Sequence, residues 1–230
     1  MSKSHLTSIL IMSCVIWLSG CATPKSIFPV SISYSKIEAK QASKPETIIV
    51  NPFIDNRNIN QKPYLGEIFE PVNMYPGPPI PVPLKSGRFI VEKNNTNIAE
   101  VLTNLFADAL KSVGYNVLIN TLSADMQSKI SSIPQHAVLI GKVNEFWLTP
   151  SWTTTQSIRI ELKLYNEKGT HLLWEKGIQV EHSQFVGLWS SDAFEEIIQK
   201  ALDKTSARAI KEFESNEFRQ KVSDNYSYPR

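Results

Sequence analysis

Gln156-Ser-Ile-Arg-Ile-Glu-Leu-Lys-Leu-Tyr165, then Asn166-Glu-Lys-Gly169, then Leu172-Leu-Trp-Glu-Lys-Gly-Ile-Gln-Val-Glu-His182 decide the fold. In the first run Ile158, Ile160, Leu162 and Leu164 alternate with Arg159, Glu161 and Lys163. A period of two places the aliphatic residues on one face and the charged ones on the other, which describes a strand with one buried and one wet side. The middle run carries Asn166 and Gly169, residues that tolerate the positive φ of a tight turn. The third run then pairs back, and the three together predict an antiparallel hairpin.

Outward from this hairpin, Ala137 to Leu148 reads as a long strand, apolar enough to lie centrally. Further upstream the period changes. Ile98, Val101, Leu102, Leu105, Phe106, Ala109, Leu110 and Val113 recur at helical spacing. Asn97 suits the N-cap and Gly114 the stop. Tyr115 to Ile119 is the strand that follows. Downstream, Asp192-Ala-Phe-Glu195 resembles a capping box. It is expected to open a helix with Phe194, Ile197, Ile198, Ala201, Leu202, Thr205, Ala209, Ile210 and Phe213 inward. Thr47 to Val50 and Arg88 to Glu92 complete the strands. The resulting fold class is α+β, a mainly antiparallel sheet with two amphipathic helices packed on one face.

Between residues 51 and 85 the pattern breaks. Asp55-Asn-Arg-Asn58 is turn-like, and Pro71, Pro76, Pro78, Pro79, Pro81 and Pro83 follow. Proline fixes φ and removes a donor, so residues 71–83 are excluded from helix and from a central ladder. Such a segment is either a partner-binding loop or a surface arm packed on the domain.

The N-terminus carries its own signal. Lys3 and His5 precede an apolar run from Leu6 to Leu18, and Ser19, Gly20 and Cys21 close it. The run is shorter than the about 20 residues that a bilayer span needs. A positive start, a short apolar stretch and small residues describe a secretory signal peptide. Leu18-Ser19-Gly20-Cys21 resembles the bacterial lipobox. That resemblance implies cleavage before Cys21, diacylglycerol on its sulfur and acylation of its new amine. Cysteine suits the transfer because a thiolate is the strong nucleophile. By resemblance to enterobacterial sorting rules, Ala22 in place of aspartate favours export to the outer membrane. The organisation expected is a signal peptide at 1–20, a lipidated tether at 21–45, one domain at 46–215 and a flexible tail at 216–230.

Composition agrees with a globular domain: 230 residues, 42% apolar and 20% charged. The net charge is +2, with Lys3 in the part removed, so the mature chain is close to neutral. A dedicated nucleic-acid binder would carry a basic face, and none is expected here. Cys14 and Cys21 are the two cysteines, so residues 22–230 hold neither a disulfide nor a thiolate metal site.

Most of residues 46 to 218 resemble the YajG-type family of bacterial outer-membrane lipoproteins. The likeness rests on the lipobox and spacer, the Asp55-Asn56-Arg57 turn with Leu65-Gly66, and the join Ala109-Leu-Lys-Ser-Val-Gly-Tyr-Asn-Val117. The Asn166 to Gly169 hairpin and final helix follow in the same order. The proline-rich insert at 71–83 departs from shorter members. The resemblance implies no catalysis and an accessory role in the envelope.

The search for chemistry points the same way. G-x-S-x-G, H-E-x-x-H, phosphate-loop and G-x-G-x-x-G motifs do not occur. No enzyme activity, cofactor or metal is expected. His136, His171 and His182 are not at ligand spacing, Glu195-Glu196 suits a helix start, and turn chemistry accounts for Asp55 and Arg57. The aromatic set Phe146, Trp147, Trp152, Trp174, Phe185 and Trp189 reads either as lids on the core or as partner anchors. Two functions follow. One is a non-catalytic accessory protein that docks envelope proteins while held on the membrane through lipid on Cys21. The other is a small-ligand or lipid-binding module serving an envelope transporter. A deep apolar pocket on strands 137–148 and 156–165 favours the second; a filled core with exposed loop aromatics favours the first.

Overall fold

The computed structural model describes residues 27–41, 43–44, 46–58, 64–67, 88–91, 97–121, 130, 133, 136–150, 153–187 and 190–227. Its organising element is β7, Ala137–Thr149. Along one edge it pairs antiparallel with β8, Thr153–Tyr165, from Val138↔Tyr165 to Thr149↔Thr155. β8 in turn pairs antiparallel with β9, Leu172–Phe185, so the expected hairpin is present, with each strand three residues longer at the open end. Gly169 has φ 68°, and Asn166 Oδ1 accepts from the backbone N–H groups of Thr170 and His171, which closes the turn.

The other edge of β7 differs from expectation. It takes three short strands in succession, all parallel to it. These are β2 (Thr47–Val50, Ile48↔Ala137), β3 (Ile54–Asp55, Ile54↔Lys142) and β4 (Tyr64–Glu67, Gly66↔Leu148). β6, Asn116–Ile119, lies parallel outside β2. β5, Arg88–Val91, runs antiparallel outside β4, and β1, Ile27–Val30, lies parallel outside β5. The sheet is therefore mixed: its long ladders, β7–β8 and β8–β9, are antiparallel as expected, and the short strands on the other edge of β7 add parallel pairings. The physical reason is visible in β2, whose four residues are all buried. A strand covered on both faces is what parallel pairing produces, and such a run does not alternate.

Helix α1, Ile98–Ser112, begins where Asn97 Oδ1 accepts from Ala99 N at 3.0 Å and ends at Gly114, φ 92°. Helix α2 spans Ser191–Glu214. Its cap is Ser190, whose hydroxyl accepts from Ala193 N, two residues before the capping box read from the sequence. α1 packs on β6, α2 packs on β8 and β9, and the two helices pack on each other. A third helix, α3 at Asn216–Ser227, replaces the expected flexible tail. Ser215 breaks α2 and its hydroxyl accepts from Phe218 N, which starts α3. Phe218 and Val222 are fully buried, and Phe218 meets Trp174 edge-on at 4.9 Å between ring centroids. One contiguous core joins Phe146, Leu148, Ile158, Ile160, Leu162 and Leu164 of the sheet to Phe194, Ile197, Ile198 and Leu202 of α2.

The tether expected at 21–45 is also only partly a tether. Val30 and Ile32 are buried, and the chain after β1 is laid along the helices as a strap. Ser31 N donates to Glu195 Oε1 at 2.7 Å, and Ser35 donates to Asp203 from both its backbone N and its hydroxyl at 2.8 Å. Tyr34 OH donates to Asp108 at 3.0 Å, and Ser43 N and Lys44 N both donate to Gly114 O. Carboxylates on α1 and α2 thus satisfy donors that an extended segment leaves free.

Candidate functional site

Asp55 and Arg57, the pair that sequence reading assigned to turn chemistry, are built as a structural clasp. The Asp55 carboxylate accepts from Arg57 Nε at 3.0 Å and Nη2 at 2.8 Å, while Arg57 N donates to Asp55 Oδ1. Arg57 Nη1 reaches Phe146 O on β7, and the Arg57 side chain is 2% exposed. A buried fork on a carboxylate is a strong, oriented pair, and here it locks the chain beyond β3 onto β7.

Of His136, His171 and His182, the first two share the turn end of the sheet and the third lies toward the other end. His171 lies in the β8–β9 turn, His136 precedes β7, and His182 sits near the far end of β9. His182 Nδ1 is 3.0 Å from Lys204 Nζ. Burial, with Lys204 beside it, pushes the His182 pKa down. Among the described residues, no three His, Cys, Asp or Glu side chains gather as a metal site requires. Glu195 accepts from Ser31, a structural role that sequence reading missed because its partner is far away in the chain.

The helix-facing side of β7 and β8 is filled. Val143, Phe146, Leu148, Ile158, Ile160, Leu162 and Leu164 are each fully buried. A cleft of about 480 Å³ lies elsewhere, between the β8–β9 turn and α3, and Asn166, His171, Leu172, Lys221 and Asp224 contribute to its walls. Its lining is mixed and its mouth open, unlike the apolar enclosed pocket of a lipid carrier.

The aromatic set divides. Phe146 is fully buried and Trp174 is 3% exposed, so both belong to the core. Trp147 is half-buried on the opposite sheet face. Phe185 is 68% exposed at the end of β9. Trp152, Trp189, Cys21 and the proline-rich segment 71–83 lie outside the described residues. No described helix is long and apolar enough to cross a membrane.

The class defined by this geometry is an α+β domain with a mixed sheet, a filled core and an N-terminal strap. No family model matches the sequence, and neither does any curated protein. Among solved structures, protein XCC0632 from Xanthomonas campestris is similar at TM-score 0.46 and 11% identity, over 80% of this chain and 91% of that one. Lipoprotein GNA1162 from Neisseria meningitidis is similar at TM-score 0.34 and 12% identity, over 71% of this chain and 99% of that one. A PelC dodecamer from Paraburkholderia phytofirmans gives TM-score 0.36 and 12% identity, over 76% and 94%.

Proposed function

We propose that this chain is a lipid-anchored, periplasm-facing envelope lipoprotein of the YajG-like type, which docks other envelope proteins and catalyses nothing. The observation that carries the reading is Leu18-Ser19-Gly20-Cys21 placed directly after an apolar run too short to span a bilayer. Each acyl methylene buried contributes about 0.8 kcal/mol, so the two or more chains implied at Cys21 hold the protein on its membrane. Ala22 favours the outer membrane by its resemblance to sorted lipoproteins. The filled face of β7 and β8 supports docking over carriage of a small ligand. Crosslinking in intact cells, with mass spectrometry of the attached proteins, tests the docking role. Replacing Val72 to Pro83 by a short Gly-Ser linker is expected to keep the fold and reduce the capture. A captured set identical to wild type removes the proline-rich arm from the account.

A further inference from the structure

We propose that the outer edge of β9, with the cationic row of α2 beside it, receives an extended segment of a partner protein that carries acidic side chains at alternate positions and adds to the sheet as a further strand. The inference rests on the docking reading and gives it a surface and a partner chemistry.

Strand pairing defines the edge. Among the described residues β9 pairs only with β8. Leu139 O and Val143 O accept from Asn51 N and Asn56 N across the other edge of β7, so the backbone groups of Val138, Ile140 and Lys142 face β8. Their partners on β8 are Tyr165, Lys163 and Glu161. The residues between these, Ile160, Leu162 and Leu164, therefore face β9, where they pair with Ile178, Lys176 and Trp174. The N–H and C=O groups of Glu175, Gly177, Gln179, Glu181 and Ser183 are left pointing outward. Arg208 Nη1 donates to Gln179 O from α2, in agreement with that direction. Among the described residues no other group bonds to the backbone of this edge. A row of unpaired donors and acceptors is a template for another strand.

Charge says which strand fits. Lys200, Lys204, Arg208 and Lys211 recur every three or four residues along α2, and all are exposed. The row runs beside β9. Lys200 Nζ donates to Gln184 Oε1 and Lys204 Nζ lies against His182 Nδ1, both at 3.0 Å, and Arg208 reaches Gln179. Lys200 pairs with Glu196. Lys204 and Arg208 meet a ring nitrogen and a carbonyl, so among the described residues neither has a carboxylate partner. Four residues of helix advance about 6 Å, and alternate residues of a strand advance about 6.8 Å. An extended segment laid on the edge of β9 therefore brings every second side chain to successive members of the row, where a carboxylate gains a charge-assisted bond. Gln179 O keeps a second lone pair for the incoming strand. The intervening side chains fall on the opposite face with Glu175 and Glu181, which disfavours further acid there. Antiparallel pairing of β9 with a second copy brings two cationic rows onto one face, so a copy of this chain is the poorer occupant.

The test is fluorescence anisotropy at low salt, with the full chain in nonionic detergent and a labelled peptide in which glutamate alternates with threonine. Two further peptides are compared. One alternates lysine with threonine. The other alternates glutamate with proline, which keeps the charge at the same spacing but lacks half the donors and does not enter a ladder. The glutamate–threonine peptide is expected to bind several-fold more tightly than either, and to slow amide exchange at Gly177, Gln179 and Glu181. Lys204→Glu combined with Arg208→Glu should reverse the preference to the lysine peptide, a swap that also shows the variant to be folded. Should that variant not fold, the three peptides on the wild type decide. Equal binding of the proline peptide overturns strand addition. Equal binding of the lysine peptide by the wild type, or an unchanged preference in the folded variant, overturns the cationic row. A wild type that binds no peptide overturns the receptor and leaves docking itself to the crosslinking in intact cells. Self-association of the wild type that the two reversals abolish assigns the edge to a second copy and overturns the proposal.

Discussion

Gly141 faces the ring of Phe53, which packs in turn on Phe106 of α1, and the effect of Gly141→Ala follows from that contact quantitatively. Gly141 sits near the middle of β7, opposite Leu162. A Cβ added there lies 2.3 to 2.4 Å from three carbons of the Phe53 ring. Ordinary carbon contacts need about 3.5 to 4.0 Å, so the ring has to retreat by more than about 1 Å. It has little room. Phe53 is 5% exposed, its ring meets that of fully buried Phe106 at a tilt, 5.2 Å between centroids, and its backbone N donates to Thr103 Oγ1 at 2.9 Å. Overpacking costs about 1 to 3 kcal/mol, and a rigid neighbour puts this case at about 3. For a domain of this size that is a fall of roughly 6 to 12 °C in Tm. Thermal and urea unfolding of the mature chain carrying Cys21→Ser would measure it. Gly177→Ala is the control, since nothing lies within 4 Å of its added Cβ. That variant is expected within about 0.5 kcal/mol of wild type. Phe53→Leu in the Gly141→Ala background should recover part of the loss, a coupling that a double-mutant cycle detects. If Gly141→Ala melts with wild type, Phe53 does not pack on β7 as described.

Phe218→Ala should destabilise the domain by about 3 to 5 kcal/mol, the range for a buried phenylalanine; an unchanged urea midpoint would return residues 216–227 to the status of a tail. Arg57→Ala should cost about 3 kcal/mol, the low end for a broken buried pair because Asp55 retains 17% exposure, and a loss below 1 kcal/mol in the same assay would reduce the clasp to a surface contact. Burial raises the pKa values of Tyr115 and Tyr226 to about 12. The unfolded chain, with tyrosines near 10, therefore releases protons first, and stability should hold below pH 10 and decline from there toward 12. Tyr226→Phe should shallow that decline in alkaline melting curves, and an identical slope would contradict the assignment.

The hairpin of β8 and β9 was legible because one wet face imposes strict alternation, and α1 because its stripe and both caps are local. β3 and β4 were not legible. Their existence depends on Lys142, Val143 and Leu148 of a distant strand, and strands of two and four residues show no period of their own. α3 was hidden for a related reason. Asn216 to Ser227 is polar except for Phe218, Val222 and Tyr226, a stripe one residue wide that Trp174, Tyr115, Thr47 and the end of α2, all distant in the chain or on another element, make into a core contact. The strap followed the same logic: Val30, Ile32 and Tyr34 alternated, but Glu195, Asp203 and Asp108, their neighbours' partners, lie 74 or more residues away. Of the candidate site, the lipobox-like stretch Leu18 to Cys21 is a local motif, visible without any tertiary context.

The account stands on the chemistry at Cys21, and the most direct measurement is the mass of the N-terminal peptide of the protein isolated from membranes. The predicted result is a peptide that begins at Cys21 and carries both a diacylglyceryl group on sulfur and an acyl group on the amine. Cys21→Ser should abolish incorporation of a labelled fatty acid. An N-terminus upstream of Cys21, or a peptide that begins there with a free thiol, would contradict the anchored lipoprotein.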